Sequence, residues 1–203
     1  GMAFGDIALV PAPWLKHPKG IRDVAEWYIA TVAHFDYVYR VFERQCEIAL
    51  GNLEKIHRVV GDRVTAVFVT GTDFGMQAGP FIAPANYRKL FKPFHVKVNE
   101  WIHTHTTWKS FIHSCGSVYQ LIPEFIDAGF DIVNPVQCSA ADMDPVRLKR
   151  EFGGDLTFWG GGCDPVIMGT GTVQQVRDEV KHRIHDLAPG GGFVFGSIHN
   201  IQA

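Results

Sequence analysis

The amino-acid sequence predicts an α/β chain built as about five of the eight strand–helix units of a TIM-type (β/α)8 barrel. Three observations carry that expectation. From residue 64 onward, five short apolar runs suited to buried parallel strands alternate with helical patterns. Alternation of this kind requires a parallel sheet with right-handed crossovers, either doubly wound or closed into a barrel. Polar, reactive residues follow every one of the five runs. A doubly wound sheet gathers its site at one switch point, whereas a barrel draws on the carboxyl end of each strand.

Taken in order, residues 1–20, with Pro11, Pro13, Pro18 and Gly20, read as a loop, in which 7–10 offers one possible extra strand. Gly1-Met2 reads as a tag remnant, and no signal peptide is visible. Over 36–60, Val38, Val41, Phe42, Ile48, Ala49, Leu53, Ile56 and Val60 recur at three- and four-residue steps, one face of a long helix ended near Gly61. Residues 1–61 are therefore a loop and helical lead-in, and 62–203 the partial barrel and catalytic domain. Strands are expected at 64–69, 109–112, 131–136, 156–159 and 192–198. The intervening helical stripes are Tyr87, Leu90, Phe91, Phe94, Val98 and Trp101; Val118, Leu121, Ile122, Phe125 and Ile126; and Val173, Val176, Val180, Ile184 and Leu187. Ser117 with Gln120, and Thr172 with Gln175, have capping-box spacing, and a shorter helix is expected at 144–152.

Composition excludes several function classes. With 46% hydrophobic and 20% charged residues and a formal net charge of -2, the 203-residue chain is ordinary for a soluble globular protein. It has no basic footprint for nucleic acid and no apolar run near the roughly 18 residues that span a bilayer. Four cysteines, at 46, 115, 138 and 163, include no C-x-x-C pair, which points to a reducing, cytoplasmic compartment. Cys46 and Cys138 read as core.

Chemistry concentrates after the strands. His113 and Cys115 stand two apart at a strand end, so their side chains project to the same side. Imidazole and thiolate are good zinc ligands, and a catalytic zinc takes three protein ligands and leaves a position open. His199 at another strand end is the candidate third ligand, with Cys163 as its substitute. The alternative is a small buried cysteine beside a hydrogen-bonded histidine. Asp73 is a candidate general acid or base, or else a turn residue before Gly75. Gly160, Gly161 and Gly162 permit close backbone approach to a ligand or a tight turn, without the spacing of a nucleotide-phosphate loop. Tyr87 and Arg88 face a carboxylate or anchor a helix, and His103 and His105 read as surface or capping residues.

The stretches Gly71-Thr72-Asp73-Phe74-Gly75, His113-Ser114-Cys115-Gly116-Ser117, Asn134-Pro135-Val136-Gln137, Phe158-Trp159-Gly160-Gly161-Gly162 and His199-Asn200-Ile201 resemble the uroporphyrinogen decarboxylase superfamily, in order and from about Gly20 to the end. The resemblance implies a TIM barrel and one of two chemistries. One branch decarboxylates the acetate arms of uroporphyrinogen without a cofactor. The other uses zinc, held by an H-x-C and a later Cys, to move methyl groups between a corrinoid protein and a thiol. This chain has the H-x-C, but His199 stands where the methyltransferases have their second Cys and the decarboxylases a His. The decarboxylases' arginine-rich N-terminal motif is missing, and the chain reads as an N-terminally truncated member.

The expectation is a zinc-dependent methyltransferase-like enzyme with a corrinoid protein as methyl partner. Zinc would sit on His113, Cys115 and His199, with Asp73 and His199 catalytic, and Gln77, Gln137, Trp159, Gly161 and Asn200 binding a small-molecule substrate. The alternatives are a cofactor-free decarboxylase of a tetrapyrrole-like substrate, using Asp73 and His199, and an inactive barrel fragment. An open five-stranded sheet also predicts a homo-oligomer.

Overall fold

The stripe over 36–60 folds as α2 (Phe35–Val60), which buries Val38, Phe42, Cys46, Ala49 and Leu53 and stops at Gly61, where φ is 54°. It follows α1 (Val24–Ala33), whose N-cap Asp23 side chain accepts from the Glu26 amide. The computed structural model describes residues 23–199, so the loop and the possible strand at 7–10 lie outside the described residues.

Beyond α2, five strands form one parallel sheet: β1 (Ala66–Thr70), β4 (Lys109–His113), β5 (Ile132–Asn134), β6 (Thr157–Trp159) and β7 (Phe193–Val194). Their spatial order is β1-β4-β5-β6-β7. Each strand lies beside its predecessor in sequence with no reversal, which is barrel winding; a doubly wound sheet would reverse. Between β1 and β4 lie a short antiparallel hairpin, β2 (Gly75–Met76) with β3 (Gly79–Pro80), and helices α3 (Pro84–Leu90) and α4 (Lys92–His105). The later crossovers are α5 (Ile122–Asp127), α6 (Pro145–Phe152), and α7 (Pro165–Thr170) with α8 (Val173–Leu187). The sheet is five of a barrel's eight strands.

Strand alternation assigns the two faces. Val69, Ile112, Val133 and Phe158 are buried against the helices, in one core with α2 and α4. Phe68, Phe111 and Trp159 point to the concave face, with ring centroids 5.6 Å apart for the first pair and 5.4 Å for the second. Trp159 is 37% exposed there. No helix among the described residues is long and apolar enough to cross a membrane.

Several local expectations need correction. The stripe 87–101 is two helices, because Pro93 in the first turn of α4 has no amide proton and its ring crowds the preceding turn. The Ser117–Gln120 capping box does not form. A 3-10 turn at Tyr119–Leu121 has no side-chain cap, and the Ser117 amide donates to the Met76 carbonyl at 2.8 Å instead. Strand β5 ends at Asn134, since Pro135 offers the ladder no N–H. The Thr172–Gln175 box is present, with hydrogen bonds of 3.3 and 2.7 Å. In α8, however, Leu187 alone of the stripe is fully buried, while Val173 and Ile184 are exposed.

Candidate metal centre

The site grows out of the carboxyl ends of β1, β4 and β5. After β1, Phe74 is buried among Tyr87, Phe91 and Phe125, with ring centroids 4.9–6.0 Å away, and its amide donates to Ser114 Oγ at 2.8 Å. That anchor leaves the neighbouring Asp73 turned the other way, and its Oδ1 accepts from the Cys115 amide at 2.7 Å. The Tyr28 hydroxyl donates to the Asp73 carbonyl. Gly116, at φ 82°, brings the loop after β4 against the β2–β3 hairpin so closely that a Cβ there would lie 2.4 Å from the Gly75 carbonyl carbon. The Gly116 amide donates to Gln137 Oε1 at 2.8 Å, Gln137 Nε2 donates to Gln77 Oε1 at 3.0 Å, and Gln77 donates to the Ser139 carbonyl. Both glutamines thus tie three loops together.

His113 and Cys115 project to one side, as period two requires. Cys115 Sγ is 3.4 Å from His113 Nε2, and His113 Nε2 is 3.9 Å from Asp73 Oδ1. One donor atom from each of Asp73, His113 and Cys115 lies within 4.8 Å of the other two. All three side chains are partly exposed, so the group is open to a ligand. His113 Nδ1 meets Asn134 Oδ1 at 2.6 Å, and Asn134 Nδ2 donates to the Trp159 carbonyl at 2.8 Å. Burial, reinforced by the Asp73 carboxylate, pushes the Cys115 thiol up to about 12.

A family model, Uroporphyrinogen decarboxylase (URO-D), matches residues 37–203. The chain belongs to the URO-D family. Among solved structures, a methyltransferase from Methanosarcina mazei superposes with a TM-score of 0.60 at 13% identity, over 86% of this chain and 48% of that one. The likeness shows a shared fold, and the chain spans about half the length of that relative. No curated protein matched the sequence.

Within this URO-D-family site, other residues singled out from the sequence are placed unevenly. His199 is exposed near the end of the described chain and is not part of the group formed by Asp73, His113 and Cys115. Cys163 is buried, with Sγ directed to the Asp164 carbonyl at 3.7 Å, and it too stands outside the group. Asn200 lies outside the described residues. Gly161 has φ 86°, and a Cβ there would lie 2.9 Å from Val136 Cβ, so its freedom serves packing against the loop after β5. Tyr87 is fully buried, its hydroxyl 2.9 Å from His95 Nδ1, and Arg88 pairs with Glu124: both anchor helices. His103 pairs with Asp131 at 2.7 Å on the surface, and the His105 ring meets the Trp101 carbonyl at 2.9 Å. Asn134 was visible in the sequence as a polar strand ending, but nothing local connects it to a histidine 21 positions earlier.

The donor set suits a zinc ion. One sulfur, one imidazole nitrogen and one carboxylate oxygen are all zinc ligands, and at usual bond lengths a tetrahedral site separates its N and S ligands by about 3.5 Å. The observed 3.4 Å between Cys115 Sγ and His113 Nε2 fits that edge. A thiol beside a carboxylate is held protonated, a conflict that a bound cation relieves.

Proposed function

We propose that this URO-D-family chain carries a zinc-dependent methyl-transfer site, moving a methyl group between a corrinoid protein and a thiol-type acceptor. The convergence of Asp73, His113 and Cys115 at the carboxyl ends of adjacent parallel strands supports this reading. In it, Asp73 takes the third ligand position that His199 holds in the sequence-based expectation. When bound, zinc would lower the pKa of an acceptor thiol and hold it as a thiolate, the reactive nucleophile. The chain's own residues do the rest. Cys115, as a thiolate with its proton released to solvent, and His113, through Nε2, would hold the ion. Gln137 and Gln77 keep the loop after β4 against the β2–β3 hairpin, which fixes the Cys115 backbone. Phe111 and Trp159, in edge-to-face contact, line the concave face beneath. A reducing cytoplasm keeps the four cysteines, all free here, as thiols.

A second reading is favoured by the family match and by Asp73 itself. Half-exposed 3.9 Å from His113, that carboxylate would steer a proton in a cofactor-free decarboxylation of a tetrapyrrole-like substrate. Elemental analysis of protein purified without chelator separates the two. One zinc per chain, lost in Cys115→Ala and reduced in Asp73→Ala, is the expected result; a metal-free parent would sink the methyltransferase reading and leave the decarboxylase.

A further inference from the structure

Asn134 bridges two strand ends, and its amide can be oriented in one way only. A backbone carbonyl accepts hydrogen bonds and never donates, so the Asn134 atom 2.8 Å from the Trp159 carbonyl must be the NH2 end. The opposite orientation would set two acceptor oxygens against each other. The oxygen end therefore faces His113 Nδ1 at 2.6 Å. An amide oxygen also only accepts, so Nδ1 must carry the imidazole proton. In a neutral ring, that leaves the lone pair on Nε2, the nitrogen directed at Cys115 and Asp73. The backbone imposes the arrangement: in the parallel register of β4 and β5, His113 and Asn134 are direct partners. The Trp159 carbonyl, at the last residue of β6, completes the bridge across a third strand.

We propose that Asn134 is a positioning residue that holds His113 in the Nδ1–H tautomer and so presents Nε2 as a ready metal ligand. The proposal rests on the reading of His113 and Cys115 as ligands for its consequence, but the tautomer is a property of the metal-free chain. Outer hydrogen bonds of this kind typically contribute about 10- to 100-fold to metal affinity.

The first test is long-range 1H–15N NMR of metal-free protein with 15N-labelled histidine, the His113 signal assigned by its loss in His113→Gln. The expected result is a protonated Nδ1 and a bare Nε2 in the parent. In Asn134→Ala the proton should redistribute between the nitrogens. An Nε2–H tautomer in the parent would overturn the proposal, whether or not any metal binds. The second test is zinc competition against a chromophoric chelator. Asn134→Ala should bind about 10- to 100-fold more weakly than the parent. Equal affinity for parent and Asn134→Ala would overturn the positioning role. A parent that binds no zinc would instead end the metal reading, while the NMR result still decides the tautomer. Should Asn134→Ala not fold, the parent spectrum stands by itself.

Discussion

At the scale of single residues, Gly116 and His95 show how tightly the surroundings of the site are set. Gly116→Ala asks an alanine to adopt φ 82° with its Cβ 2.4–2.7 Å from the Gly75 and Met76 backbone. A non-glycine residue in this region costs on the order of 1–3 kcal/mol before any clash is counted. Denaturant unfolding should show at least that loss, with the loop carrying Cys115 displaced. Gly51→Ala is the opposite case. It lies within α2 with nothing within 4 Å of its would-be Cβ, so the change should stabilise by about 0.5–1 kcal/mol. His95 is buried, and that burial lowers its pKa from 6.5 to about 3. Between those values the unfolded chain binds a proton that the folded chain refuses. Stability is thus fully present above about pH 6.5 and is lost as pH falls toward 3, at up to roughly 1.4 kcal/mol per pH unit. Unfolding midpoints from pH 7 to 4.5 should drop more steeply for the parent than for His95→Gln. Parallel curves would show that His95 does not refuse the proton.

At the scale of elements, one carboxylate joins three helices. Glu124 in α5 accepts from Arg88 in α3 at 2.5 Å and from Lys92 in α4 at 2.8 Å, and it is 8% exposed. Burial by itself would raise its carboxyl pKa; the two cations overcome that and hold it below the usual range. Glu124→Gln leaves both cations underpaired and should cost about 1–3 kcal/mol in thermal or denaturant unfolding. Restoration by a second change, Arg88→Gln, would identify the pair as the source; unchanged unfolding of Glu124→Gln would contradict it. Elements also mark what was readable. The four-, four-, three- and four-residue steps of the buried positions in α2 are a strong local signal. The break between α3 and α4 had its sign in Pro93, yet the apolar stripe runs through it uninterrupted. Ser117 and Gln120 carry the correct spacing for a capping box, but the amide of Ser117 is engaged by the β2–β3 hairpin, a tertiary contact that outranks the local one.

At the scale of the whole molecule, the sheet has two edges among the described residues, β1 and β7, and a concave face on which Phe68, Phe111 and Trp159 are incompletely covered. Unpaired strand edges and exposed aromatic faces favour association. We expect a second copy of the chain to cover this face, so that light scattering across a dilution series gives a dimer or larger species. A monodisperse monomer at low micromolar concentration would contradict this.

Strand positions, the sequential sheet and the H-x-C pair were legible because each rests on a local period: apolar runs, strand–helix alternation, side chains alternating every second residue. From these the polar strand endings, Asp73, His113 and Gln137 among them, could be expected at one end of one sheet. Which of them touch was decided by contacts between segments distant in the chain. Asp73 reaches the Cys115 amide across 42 positions, and Asn134 reaches His113 across 21. Strand register and loop packing set these pairings, and no local spacing records either. That is why Asp73 joins His113 and Cys115 in the described structure, while His199, an equally good ligand by residue type, stands apart from them.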